Sequence, residues 1–158
     1  MKRFVLAAVL LSAPAAARDT LGVYYGWGAF RDVRPLRCFA IAQPVRPGSG
    51  KWRPFATVSY WPVQRIRGQL HVRLSREKLN TAPVMLSIDD RRFVMVAGRA
   101  DAWAPDSRID AAIVAAMRSG QMMRISSQSA TGGFTDAYLL KGAATAIDSA
   151  ALGCARGR

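Results

Sequence analysis

A chain of 158 residues with 51% hydrophobic and 21% charged content can bury a sizeable core, which excludes a disordered segment. Its net charge of +13 is mostly arginine, lysine occurring only at positions 2, 51, 78 and 141. A single histidine and two cysteines leave little material for a metal site or a histidine-based catalytic centre.

The chain opens with Lys2 and Arg3, an apolar run from Phe4 to Leu11, a break at Pro14, and the small residues Ala15-Ala16-Ala17. That order of zones predicts a cleavable signal peptide over residues 1–17. The apolar run is too short to cross a bilayer core, which takes about 20 residues, so it does not read as an anchor. Cleavage after Ala17 leaves 158 − 17 = 141 residues as a single β-rich domain, 18–158. The expected location is the periplasm or the medium, with no transmembrane segment after cleavage.

Leu21 to Phe30 is aromatic and glycine-rich, and its aromatics suit either a core plug or a stacking platform. Leu36–Ala42 is a mostly apolar strand carrying Cys38, followed by a loop over 44–54. Phe55–Trp61, Gln69–Ser75, Val84–Asp89 and Arg92–Ala97 read as strands, with Asp89-Asp90-Arg91 turning between the last two. Leu70, Val72 and Leu74 alternate against His71, Arg73 and Ser75, the pattern of a half-buried strand.

From Ser107 to Met117 the period becomes helical, with Ser107 and Asp110 as a capping-box match and Gly120 as the stop. Gln121–Gln128 and Gly133–Leu140 are further strands, and Ala143–Leu152 is an alanine-rich helix placing Ile147, Ala151 and Cys154 on one face. Strands follow strands directly, so the expected fold is mainly β: an antiparallel β-sandwich or flattened barrel of about seven strands with two short flanking helices. In an oxidising compartment the two cysteines predict a Cys38–Cys154 disulfide; two free buried thiols are the alternative.

The order of elements resembles the invasion-associated locus B family of exported bacterial proteins. The resemblance is carried by Trp27–Phe30, the cysteine strand Arg-Cys-Phe-Ala-Ile-Ala-Gln (37–43), and the Val84–Asp89 segment ending in Ile-Asp. It continues through Met-Arg-Ser-Gly-Gln-Met-Met (117–123) and the closing Leu-Lys-Gly-Ala-Ala-Thr-Ala-Ile-Asp (140–148). Two departures are the lack of cysteines between 38 and 154 and Ala143 where the family has a bulky residue. The resemblance implies a small periplasmic or secreted β-rich protein of envelope or host-surface interaction, and it carries over no catalytic residue.

No catalytic set, cofactor or metal site is expected. His71 has no Gly-x-Ser-x-Gly elbow to serve and no ligand-spaced partners, and reads as an exposed strand histidine. Asp136 shares a strand face with Phe134, Tyr138 and Leu140, so it must pair with an arginine or hold its proton more tightly, pairing being the expected outcome. Trp27, and the basic–aromatic set Trp52, Arg53, Trp61, Arg65 and Arg67, form the candidate binding surface, suited to anionic or sugar ligands.

Such a charge balance ordinarily points to nucleic acid, but an exported protein meets little of it. The expected role is therefore a non-enzymatic envelope or secreted binding protein contacting an anionic envelope component or an acidic protein. A carbohydrate-active hydrolase using two aspartates in an aromatic groove is the alternative, and a merely solubilising arginine surface is the plainest reading of the charge.

Overall fold

The structure, a computed structural model, describes residues 18–48 and 53–155. It contains β1 (Arg18–Tyr24), β2 (Trp27–Val33), β3 (Leu36–Ala42), β4 (Phe55–Trp61), β5 (Ile66–Arg73), β6 (Val84–Ile88), β7 (Arg91–Ala97) and β8 (Asp101–Trp103). These are followed by α1 (Ser107–Ser119), β9 (Met122–Ser129), β10 (Gly132–Leu139) and α2 (Ala143–Ala155). The fold is mainly β and antiparallel with two helices, but the strands form one sheet in the order β1-β2-β3-β4-β5-β8-β7-β6-β9-β10. A sandwich of about seven strands is thus corrected to a single ten-stranded sheet, and helices occupy the face a second sheet would have covered.

The count differs for local reasons. Leu21–Phe30 is two strands, folded at Tyr25-Gly26 with Tyr25 at φ 56° and Tyr24 opposite Trp27. An Asn-Gly or Asp-Gly turn would have marked the hairpin, and none is present. The third addition, β8, has three residues, too few for alternation to register.

Each strand turns one set of alternating side chains inward. Ala29, Ala40, Ala42 and Ala56 cover that face in the first half, while Leu70, Val72, Leu86, Ile88, Met123 and Ile125 fill the second, all buried. Helix α2 lies over β1–β4 and presents Ala146 and Ala150, also buried. Alanine against alanine lets helix and sheet approach closely, whereas bulkier α1 residues Ile113 and Met117 fill the wider space beside β5.

The sheet curls until its last strand reaches its second. In β10 the carbonyls of Ala137 and Leu139 accept the Val45 N–H at 2.7 Å and the Trp27 indole N–H at 2.8 Å. Exposed edge carbonyls are thereby satisfied without a strand pairing, and the sheet stays open. Gly142 links β10 to α2 at φ 89°, where a Cβ would run into the Tyr24 carbonyl. That position admits only glycine without displacing the β1–β2 turn.

The helix boundaries hold, but the cap is different. Asp106, rather than Ser107, is the N-cap and accepts the Ile109 N–H at 2.8 Å. Asp110 is not part of a capping box: it is buried and accepts the Leu70 N–H at 2.8 Å, tying α1 to β5. Burial raises its pKa, and that backbone bond works against the rise.

Asp136 sits on the inner face of β10 as its alternation requires, 3% exposed, but its partner is the Ser75 N–H at 2.8 Å rather than an arginine. Burial raises its pKa above the ordinary carboxylate range, with the bonds from Ser75 opposing. The folded state therefore keeps this proton to higher pH than the unfolded chain, whose aspartates titrate near pH ~3.9. Its contribution is fully present below that value and is lost as pH rises through the raised one. Asp136→Asn keeps an acceptor for Ser75 and removes the charge, so its stability relative to the parent should increase between about pH 4 and pH 7 in urea titrations. Asp136→Ala at about pH 4 instead strands a buried N–H, with an expected loss of about 1–3 kcal/mol.

Candidate functional site

The β4–β5 hairpin builds one side of an open concavity. Its turn, Pro62-Val63-Gln64-Arg65, closes with the Arg65 N–H on the Pro62 carbonyl at 3.2 Å, Arg65 taking φ 58°. The two strands then lose register between Ser59/Trp61 and Gln69/Ile66, where Arg67 and Gly68 stand opposite Tyr60. Gly68 at φ 70° supplies the left-handed residue that such a bulge needs. The extra residue re-aims the hairpin end over the C-terminal turn of α2.

Between them lies a groove of about 640 Å³. Leu36, Tyr60 and Ile66 form its floor, Pro62 and Val63 one rim, and Ala151, Cys154 and Ala155 the helix wall. Arg65 and Arg67 add two guanidinium groups. Both arginines are exposed, and neither forms an ion pair with any described residue. Val63 at the rim is 79% exposed, an apolar side chain held in water by the turn.

The Cys38–Cys154 disulfide pins the helix wall to β3 at a Cα–Cα distance of 5.7 Å, as its position near both ends of the domain predicts. Floor and wall come from segments far apart in the chain, and the bridge covalently links β3 to the helix wall.

The predicted binding residues separate. Arg65 and Arg67 meet at the groove. Trp61 lies on the outer face of the sheet, under the Arg37 guanidinium, which also covers Phe39. Trp27 is 0% exposed and belongs to the core, which removes it from any binding surface. Arg53 is exposed just before β4, at the end opposite the hairpin and roughly 20 Å away along a seven-residue strand. Trp52 lies outside the described residues.

Arg37 was not legible as a site residue, although its alternation with Cys38 and Ala40 puts it on the outer face. Its centroid distances are 4.3 Å to Phe39 and 4.8 Å to Trp61, and it donates to the Ser59 hydroxyl at 2.9 Å. Burial lowers its pKa, with Asp32 partly compensating. Arg18 also lies over the Phe39 ring at 5.3 Å while paired with Asp32 at 2.7 Å, so Asp32 offsets part of the positive charge on this aromatic strip.

His71 is only partly exposed, which corrects its reading as a solvated strand residue. Its Nε2 is 2.8 Å from an Asp101 carboxylate oxygen that also accepts Arg73 Nε at 2.7 Å. The ring stacks on Trp103 at 5.1 Å and meets Phe55 edge-on at 5.4 Å. Burial pushes Asp101 up, but the bonds from Arg73 and His71 outweigh it and hold the carboxyl below its ordinary value. The partner that immobilises His71 comes from β8, the strand too short to be read.

Six of the nine aspartates are dispersed into structural work. Asp89 accepts the Gln121 N–H, Asp106 caps α1, Asp148 pairs with Arg118, and Asp101, Asp110 and Asp136 have the partners above. None of them lines the groove. Among the described residues no cluster of histidine, cysteine and carboxylate side chains could hold a metal ion, and no helix is long and apolar enough to cross a membrane. No protein-family model matches the chain, and neither a curated protein nor a solved structure is significantly similar to it.

Proposed function

We propose that this is an exported binding protein that holds an anionic envelope component at the arginine-flanked hairpin end. The observation carrying the reading is the groove, where Arg65 and Arg67, which form no ion pair among the described residues, border an apolar floor. A merely solubilising charge needs no such concavity, whereas an anion with an apolar portion satisfies both halves of it. A hydrolytic reading would want paired carboxylates in a cleft, and the groove lining holds none.

Export and kinship to the invasion-associated locus B type belong to the same proposal. Residues 1–17 support export through their composition, and the disulfide supports an oxidising compartment. The envelope then supplies abundant anionic headgroups, each cation near such a surface contributing about 1 kcal/mol.

Sedimentation with phosphatidylglycerol-containing vesicles tests the reading. Binding should fall steeply with salt, and an Arg65→Ala, Arg67→Ala double variant should bind about tenfold to thirtyfold more weakly, as two such cations predict. Salt-independent adsorption, or an unchanged double variant, would overturn it. Binding to polyglutamate without binding to the vesicles would transfer the groove to an acidic protein partner.

A further inference from the structure

The groove carries more information than its charge. Among the described residues lining it, Arg65 and Arg67 are the only charged ones, and both have the same sign. The rest of the lining is apolar or aromatic, or is the half-cystine Cys154. A headgroup alone would use the guanidinium groups and leave this apolar surface wet. A neutral hydrocarbon would use the surface and leave the arginines without a purpose.

Size then separates the amphiphiles. The volume of about 640 Å³ falls within the ~300–1,000 Å³ typical of small-molecule sites. A single acyl chain with its carboxylate, roughly twenty heavy atoms, is of the drug-like size such sites take, whereas a two-chain phospholipid is about twice as large.

The walls suit insertion of such a chain. Among the described residues the helix wall contributes only Ala151, Cys154 and Ala155 to the groove, and Leu36 and Tyr60 pack against the disulfide that anchors it. The bulge at Gly68 brings Arg67 to the rim rather than along the strand face.

Resting on the anionic-ligand reading above, we infer that the groove is a binding site for a single-chain anionic amphiphile such as a long-chain fatty acid. The hydrocarbon lies along Leu36, Tyr60 and Ile66 against Ala151, and the carboxylate meets Arg65 and Arg67. The binding is non-covalent, and the protein takes the molecule as a monomer rather than as part of a bilayer.

The test uses cis-parinaric acid, a fluorescent long-chain fatty acid, below its micelle concentration with the disulfide-intact protein. Its emission should rise saturably at one molecule per chain and be displaced by oleate but not by acetate. Oleyl alcohol should displace it at least tenfold more weakly than oleate. Arg65→Ala with Arg67→Ala should weaken binding at least tenfold, and Ala151→Trp, which fills the groove, should abolish it. Val63→Glu, at an exposed turn position where misfolding is not expected, should also weaken it severalfold by placing a like charge at the rim.

Parinarate binding left intact by both Ala151→Trp and Val63→Glu would overturn the assignment, because the chain would then sit elsewhere. Absence of saturable parinarate binding, with salt-sensitive vesicle adsorption retained, would overturn this inference and leave the broader reading standing. Absence of both would remove the two together.

Discussion

Replacing Trp27 with alanine will lower the stability of the domain by about 3–5 kcal/mol, the usual cost of deleting a large aromatic from a core. Trp27 is 0% exposed in the middle of the largest buried cluster, so the hole it leaves is ringed by rigid neighbours. Its indole N–H also satisfies the Leu139 carbonyl on the free edge of β10. Truncation therefore removes packing and leaves an edge acceptor unmet where the curled sheet nearly closes.

Trp27→Phe separates these contributions. It keeps an aromatic ring but loses the donor and part of the ring volume, so a smaller loss of about 1–3 kcal/mol is expected. For a domain of this size, the alanine variant should melt about 10–15 °C lower. Denaturant titration of both variants gives the comparison directly. A loss below about 1 kcal/mol for Trp27→Ala would show the indole to be peripheral and restore it as a stacking platform.

The disulfide carries the second large effect. It joins residues 116 positions apart, and the chain-entropy account assigns a loop of about 100 residues ~4.7 kcal/mol through restriction of the unfolded state. Cys38→Ala with Cys154→Ala should lower stability by about 2–5 kcal/mol. The same change should impair the groove, since Cys154 is part of its wall and holds α2 against β3. Mass spectrometry of the intact protein should show uptake of two hydrogens on reduction, and an unchanged mass would sink the bridge. Stability equal to the parent in the double variant would show that the bridge adds nothing to the helix–sheet packing that holds α2 on β3.

Much of the architecture could be read from alternation. The strands over 36–42 and 55–61 have the predicted bounds because apolar and β-branched runs end at proline or polar residues. The inward direction of Asp136 follows from the same period, since Phe134, Tyr138 and Leu140 share its face and are buried with it. Its partner does not follow, because Ser75 lies 61 positions away and backbone donors carry no mark in the sequence. Likewise Asp110 resembles a capping residue locally, yet tertiary contact assigns it to Leu70 and leaves the cap to Asp106.

The candidate site was legible only as composition. Arg65 and Arg67 stand near a tryptophan in the chain, but the hairpin turn and the bulge beside Gly68 leave them lining the groove while Trp61 lies under Arg37. Trp27 illustrates the same limit: an aromatic beside glycines fits a platform or a core plug equally well, and only packing distinguishes them.

The sequence by itself determined the helices, most strands, the basic balance and the pairing of two cysteines. These depend on local period, on composition, or on there being only one possible partner. Only the tertiary structure decided that the strands make one curled sheet with helices on its inner face, and that the β4–β5 hairpin and the last turn of α2 meet in a groove. Sheet order and concavity arise from contacts between residues far apart in the chain, where local periodicity holds no information. That is why the Cys38–Cys154 bridge could be predicted from the sequence and the groove beside it could not.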